Sequence, residues 1–325
     1  MWHRAKNEIA KKGRVTMIKT EVKNYLNYGK VLAISNDVIE LYVTIDVGPR
    51  IIRYGYIGGQ NIMCDNRNAG APKDDAEFEN FFGKGKKWEI LGGHRIWTSP
   101  ESYPGSYYPD LNEVKYELTE SGAVFTPNAE KENGVQKQLE IKMDPDDTNV
   151  QVIMRVTNVD NTAKEFSVWG LTVSAVGGTL IVPMNTNDTG LLANRNISVW
   201  PYTNLADSRL RFGNRYVTLN QIPNIDQALK LGFDLGGGEV FYLLGNDIFR
   251  KRYDTYHNTE KYPDNNCSFE TYTCNNFLEV ESLSPLKKVA PQETLSLTEH
   301  WSLIKKPCDV NFNDDNSIDN LLQKI

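Results

Sequence analysis

Hydrophobic and polar residues alternate with a period of two along most of the chain. Across residues 38–47, Ile39, Leu41, Val43 and Ile45 fall on one face, and Glu40, Tyr42 and Thr44 on the other. Leu139, Ile141 and Met143 alternate with Glu140 and Lys142, while Val150, Val152, Met154 and Val156 alternate with Gln151, Arg155 and Thr157. Successive side chains of a strand point to opposite faces, so these stretches predict half-buried β-strands. Turn-forming clusters separate them, among them Gly58-Gly59-Gln60-Asn61, Asp144-Pro145-Asp146-Asp147 and Gly245-Asn246-Asp247. Helical periodicity is confined to the N-terminal tail and the C-terminal end, where Ile318, Leu321, Leu322 and Ile325 share one helical face. Many strands without a βαβ rhythm predict an all-β fold, a large antiparallel β-sandwich. No repeat, linker or break in composition divides the chain, which predicts a loose tail over residues 1–16 and one domain over residues 17–325.

Two segments interrupt the rhythm. Residues 64–108 are polar and rich in glycine, proline and aromatics, and residues 253–266 carry tyrosine, histidine, proline and aspartate. Long loops in a compact β domain usually carry function or are disordered, and the aromatic content argues for function.

With 325 residues the chain is long enough to bury a core without disulfides or metals. Its formal net charge of -6 argues against nucleic acid or an anionic membrane as partner, since phosphates require a basic patch. No stretch is apolar over the length of a membrane span, and the first residues lack the apolar core of a secretory leader. The four cysteines form no CxxC pair, so free thiols in a reducing cytoplasm are expected. Neither a phosphate-binding GxxxxGK[ST], an HExxH nor a zinc spacing occurs, so no cofactor and no metal is expected.

The most informative chemistry lies in residues 267–285, CSFETYTCNNFLEVESLSP. Two strand-like runs flank Asn275-Asn276, a dipeptide suited to a tight hairpin turn. A two-residue loop sets Cys274 opposite Phe277, Tyr272 opposite Glu279 and Glu270 opposite Glu281. Leu278 and Val280 then face the core, and all three glutamates face away from it. Opposed side chains stand about 5 Å apart at Cβ, so two carboxylates cannot both ionise cheaply. Either the pair does acid–base work or binds hydroxyls, or it lies on a solvated face relieved by Lys251 or Arg252. Residues 92–110, GGHRIWTSPESYPGSYYPD, form a second candidate. Here His94, Arg95, Trp97, Glu101 and several tyrosines share one loop-like stretch that either binds a sugar or anchors itself on the sandwich. Trp200, Tyr202, Asp207 and Arg209 are open to the same two readings, lining a site or bracing a loop.

These segments, in order, resemble the galactose mutarotase-like superfamily of the aldose 1-epimerases, and most nearly a bacterial branch of it. The resemblance spans roughly residues 30–303 and is carried by VGPRIIRYGYIGG, GGHRIW, FSVWGLTVSAVGG, WPYTNLADSR, RKRYDTYHNTEKYPD, FLEVESLSP and VAPQETLSLTEHWSL. It implies a twisted supersandwich whose concave sheet holds a small-molecule carbohydrate. It also implies Glu281 as the base that takes the anomeric proton and sets His94, beside paired glycines, near the family's first histidine. The hairpin register adds Glu270 as the partner or tuner of Glu281, and His94 is the best candidate acid. Arg95, Trp97, Lys251, Tyr262 and Asp264 become binding candidates, and Trp169 a stacking wall. The strand that carries the family's acid histidine reads FSVWGLTVS over residues 166–174, with Trp169 and no histidine. A non-catalytic sugar-binding or sensing role therefore stands beside the epimerase reading, with lyase or hydrolase chemistry on the same face as a third.

Overall fold

The computed structural model describes residues 17–186, 188, 190, 192–256 and 260–325, so the expected tail over residues 1–16, with its helix, lies outside the described residues. Two large antiparallel sheets face each other. The first runs, strand by strand, through Lys19–Asn24, Lys30–Ser35, Ile39–Thr44, Ile51–Tyr56, Gly93–Ser99, Lys164–Ser174, Leu278–Leu283, Phe269–Thr273, Leu229–Phe233 and Ile197–Val199. Lys287–Val289 pairs with the start of Lys164–Ser174. The second runs through Leu210–Phe212, Tyr216–Asn220, Thr179–Pro183, Glu239–Leu244, Asp247–Tyr253, Thr294–Lys305, Val150–Asn158, Val135–Met143, Gly122–Thr126 and Lys115–Thr119. This is the expected all-β sandwich.

The alternating positions meet between the sheets. Ile39, Leu41 and Val43 share one core with Leu139, Ile141, Met143, Val150, Val152 and Val156. The other face of the Ile39–Thr44 strand is covered too, which its pattern did not predict. Tyr42 packs with Tyr28, Val31 and Leu91 in a second cluster. At the far side of the second sheet lies a C-terminal helix, Asp315–Leu322, three residues ahead of its predicted span. Its Ile318 and Leu321 pack on Ile181, Phe241, Leu243 and Ile248. Among the described residues no helix is long and apolar enough to cross a membrane.

Residues 64–108 depart from the expected loop in two ways. A short helix, Ala76–Phe82, starts where the Asp75 carboxylate accepts the Phe78 amide at 3.0 Å. Its Phe78 and Phe82, one turn apart, join Trp88, Trp97 and Trp169 in a cluster on the side of the first sheet turned away from the second, the side that the resemblance implies is concave. The second departure is the strand Gly93–Ser99, which lies in the middle of that sheet beside Lys164–Ser174. The chain enters it through Gly92 and Gly93, both at positive φ, where an added Cβ would sit 2.1 Å from the Cys64 carbonyl oxygen and 2.2 Å from that of Ile51. Side chains of 93–99 therefore alternate across the sheet, and this alternation decides which of them can reach a ligand.

Candidate functional site

The hairpin forms as its turn predicts. Glu270 pairs with Glu281 and Tyr272 with Glu279, and the Cys274 amide bonds the Phe277 carbonyl at 3.2 Å. Leu278, Val280 and Phe269 point into the inter-sheet core, which leaves the glutamates on the concave face. The next strand supplies the cation that balances them. In Leu229–Phe233, Leu229, Leu231 and Phe233 enter the core, so Lys230 stands on the concave face. Its Nζ lies 2.8 Å from Glu270 Oε2 and 3.3 Å from Glu281 Oε2. Trp169 Nε1 donates to the same Glu281 oxygen at 2.9 Å. The ammonium also lies 4.7 Å from the Trp169 ring and 4.8 Å from that of Trp200. Trp200 approaches closely because position 232 is glycine, where an added Cβ would stand 3.3 Å from its ring and 2.5 Å from Cys267 Sγ.

One ammonium thus serves two buried carboxylates. Burial raises Glu281 to about 7, against the opposing pull of Lys230. Glu270 is raised well above the carboxylate range, again by burial first, with Lys230 opposing and Glu281 adding to the rise. Burial alone would lower the Lys230 ammonium, but Glu281 and then Glu270 hold it well above the ordinary lysine value. Glu270 and Glu281 therefore share protons as a coupled pair, beside an ammonium that keeps its own.

A cavity of about 320 Å³ opens over this unit. Lys230 and Glu270 line it together with the carboxylates Glu101 and Asp264 and the rings of Tyr103, Tyr107, Trp169 and Trp200. Glu281 lies behind Lys230 and Trp169 and is not part of the lining. Asp264 reaches the rim from a turn in which Asp264, Asn265 and Asn266 all have positive φ, of 52°, 62° and 73°. Aspartate and asparagine tolerate that conformation better than other side chains. Ser198 Oγ, donating to the Asp264 carbonyl at 2.8 Å, helps hold the turn. A smaller cleft beside Arg50 and Asp110, of about 30 Å³, has room for little more than a water molecule.

The other sequence candidates separate according to the face they occupy. Glu270, Asp264 and Trp169 line the cavity. Arg95 and Trp97 share the concave face but are buried, corrected from an open loop to a sealed strand. Arg95 is paired with Glu279 at 3.0 Å, with its guanidinium 4.4 Å from the Trp97 ring and 5.8 Å from that of Trp88. Tyr262 is buried in the same cluster, its hydroxyl accepting the Tyr256 amide at 2.9 Å. His94 and Lys251 are corrections of a different kind, because both point into the inter-sheet core. His94 Nδ1 meets Thr172 Oγ1 at 2.9 Å, its ring lies 5.1 Å from Trp301, and burial holds it well below the ordinary histidine value. A neutral, enclosed imidazole on that side of the sheet cannot protonate a ligand on the concave side. Lys251 bonds Thr172 Oγ1, the Val280 carbonyl and Glu299, so it relieves a core glutamate and not the hairpin pair. Of WPYTNLADSR, Trp200 lines the cavity, whereas Arg209, salt-bridged to Asp207 at 2.8 Å, braces a loop. Lys230 escaped the sequence reading; its signal was a lysine out of phase with Leu229, Leu231 and Phe233 in an otherwise apolar strand.

No family model matches this chain and no curated protein is similar to it. Solved structures share its fold at low identity. A galactose mutarotase-like protein from Clostridium acetobutylicum is 12% identical with a TM-score of 0.52, matching 90% of this chain and 100% of its own. One from Lactobacillus casei is 10% identical with a TM-score of 0.51, over 84% and 100%. A proposed aldose 1-epimerase from Klebsiella pneumoniae is 13% identical with a TM-score of 0.56, over 95% and 86%. The fold is that of galactose mutarotase-like proteins.

Proposed function

We propose that the concave sheet binds a carbohydrate in the cavity above Lys230 and Glu270. The observation that carries this reading is the meeting of aromatic walls with a buried acid whose Oε1 has no hydrogen-bond partner among the described residues. A pyranose presents C–H faces to flat rings and hydroxyls to polar groups at its edge. An unsatisfied buried oxygen costs about 1–3 kcal/mol, which a ligand hydroxyl would recover. The free thiols Cys64, Cys267, Cys274 and Cys308 support a reducing, cytoplasmic setting. Titration calorimetry with a panel of free aldoses should give saturable binding. Trp200→Ala should weaken it by about tenfold through lost stacking. No binding by any aldose would contradict the reading.

The shared protons favour a second reading on the same atoms, interconversion of sugar anomers. General acid–base chemistry needs one group that holds a proton and one ready to accept it near the working pH. Glu270 reaches the cavity and would exchange protons with the sugar, while Lys230 beside it and Glu281 behind set its charge. Magnetisation-exchange NMR between anomers should then show acceleration that Glu270→Gln abolishes. Binding without acceleration would leave the recognition role alone.

A further inference from the structure

Resting on the carbohydrate reading, we propose that the sugar bound in this cavity carries a positive charge, as an amino sugar with a free amine does. Three acidic side chains, Glu101, Asp264 and Glu270, line the cavity, and Lys230 is the one cation among the described residues that line it. That cation is already committed to Glu270 at 2.8 Å and to Glu281 at 3.3 Å behind the wall. Arg95 is held by Glu279 and does not line the cavity. Among the described residues the remaining carboxylates have hydroxyl partners and no cationic one: Glu101 accepts the Tyr107 hydroxyl, and Asp264 accepts Ser99 Oγ at 3.3 Å.

A built acceptor accompanies this excess of negative charge. Glu270 is fully buried and lines the cavity, and its Oε1 has no partner among the described residues. A ligand hydroxyl can satisfy that oxygen but leaves the charges of Glu101 and Asp264 without a counter-ion. An ammonium brings three donors and a charge, and its hydrogen bonds to carboxylates are about twice as strong as neutral ones. The indole rings of Trp169 and Trp200 already stand within 5 Å of one ammonium, and ring faces of this kind favour another cation over an anion. A uronate or phosphosugar would instead set its charge against Glu101 and Asp264. Asp264 permits a clean test, because asparagine tolerates positive φ equally well and removes only the charge.

Calorimetric titrations of glucosamine and galactosamine should be compared with glucose and galactose, their N-acetylated forms and their uronic acids, at mildly acidic pH where the amines are protonated. The free amines should bind about tenfold more tightly than the parent sugars, the scale of one charge-assisted contact. That preference should shrink in Asp264→Asn and with added salt. Neutral, N-acetylated or acidic sugars binding as tightly as the amines would overturn the inference while leaving carbohydrate recognition standing. Failure of every sugar to bind would overturn the carbohydrate reading itself.

Discussion

Two lysines of this protein are buried against glutamates on opposite sides of one sheet, and the two assemblies differ in whether they are closed. Lys251 comes from the second sheet and bonds Thr172 Oγ1 at 2.7 Å, the Val280 carbonyl at 2.8 Å and Glu299 Oε1 at 3.0 Å. Glu299 also accepts the Ser282 hydroxyl and, at 2.6 Å, Trp301 Nε1. One positive charge meets one negative charge there, and each has its hydrogen bonds made between the two sheets. Lys230, on the concave side, faces two carboxylates, and Oε1 of both Glu270 and Glu281 is left without a partner among the described residues. A closed buried pair ties layers together, whereas an open one beside a cavity is incomplete until something enters.

Substitution should separate the two most sharply through stability. Lys251→Met strands Glu299 in the core and should cost about 3–5 kcal/mol by denaturant unfolding. Lys230→Met should cost less, about 1–2 kcal/mol, because its glutamates are already raised and can take protons in place of the ammonium. Equal losses would erase the distinction. A smaller effect concerns pH. Glu281 is raised from its ordinary 4.5 to about 7 on folding, so between those values the folded state binds the extra proton. Stability should therefore fall as pH rises through that window. Glu281→Gln should flatten the fall while staying within about 1 kcal/mol of the parent at neutral pH, since it removes the second claimant on one ammonium. A pH profile unchanged by Glu281→Gln would show that Glu281 does not hold that proton.

The hairpin was legible because its evidence is local: the Asn275-Asn276 turn and the alternation on either side set one register, and Glu270 does pair with Glu281. His94 was misplaced for a reason that is also local. Read as loop, GHRIWTS has no faces; read as strand, it puts His94 in phase with Ile96, which lies in the core, and Arg95 in phase with Trp97. Lys251 is likewise in phase with the core residues Phe249 and Tyr253, and Glu299 with Leu297 and Trp301. A lysine and a glutamate in phase with apolar neighbours on two strands signal a buried pair, but which strands adjoin is not written in either one. The helix Ala76–Phe82 shows only Phe78 and Phe82 as a periodic signal, too little over seven residues to stand out from an aromatic loop. That Arg95 and Trp97 are sealed while Glu101, Tyr103 and Tyr107 line the cavity depends on where residues 64–108 settle, a long-range matter that periodicity does not report.

The central claim is that the open assembly on the concave face is a ligand site and the closed one in the core is not. A crystal structure of the protein soaked with a sugar that binds in titration tests it most directly. The account predicts a pyranose ring on the Trp200 indole, with one of its polar groups within hydrogen-bonding distance of Glu270 Oε1 and the Lys251–Glu299 network unchanged. A sugar bound elsewhere, with the cavity above Lys230 holding only water, would contradict it.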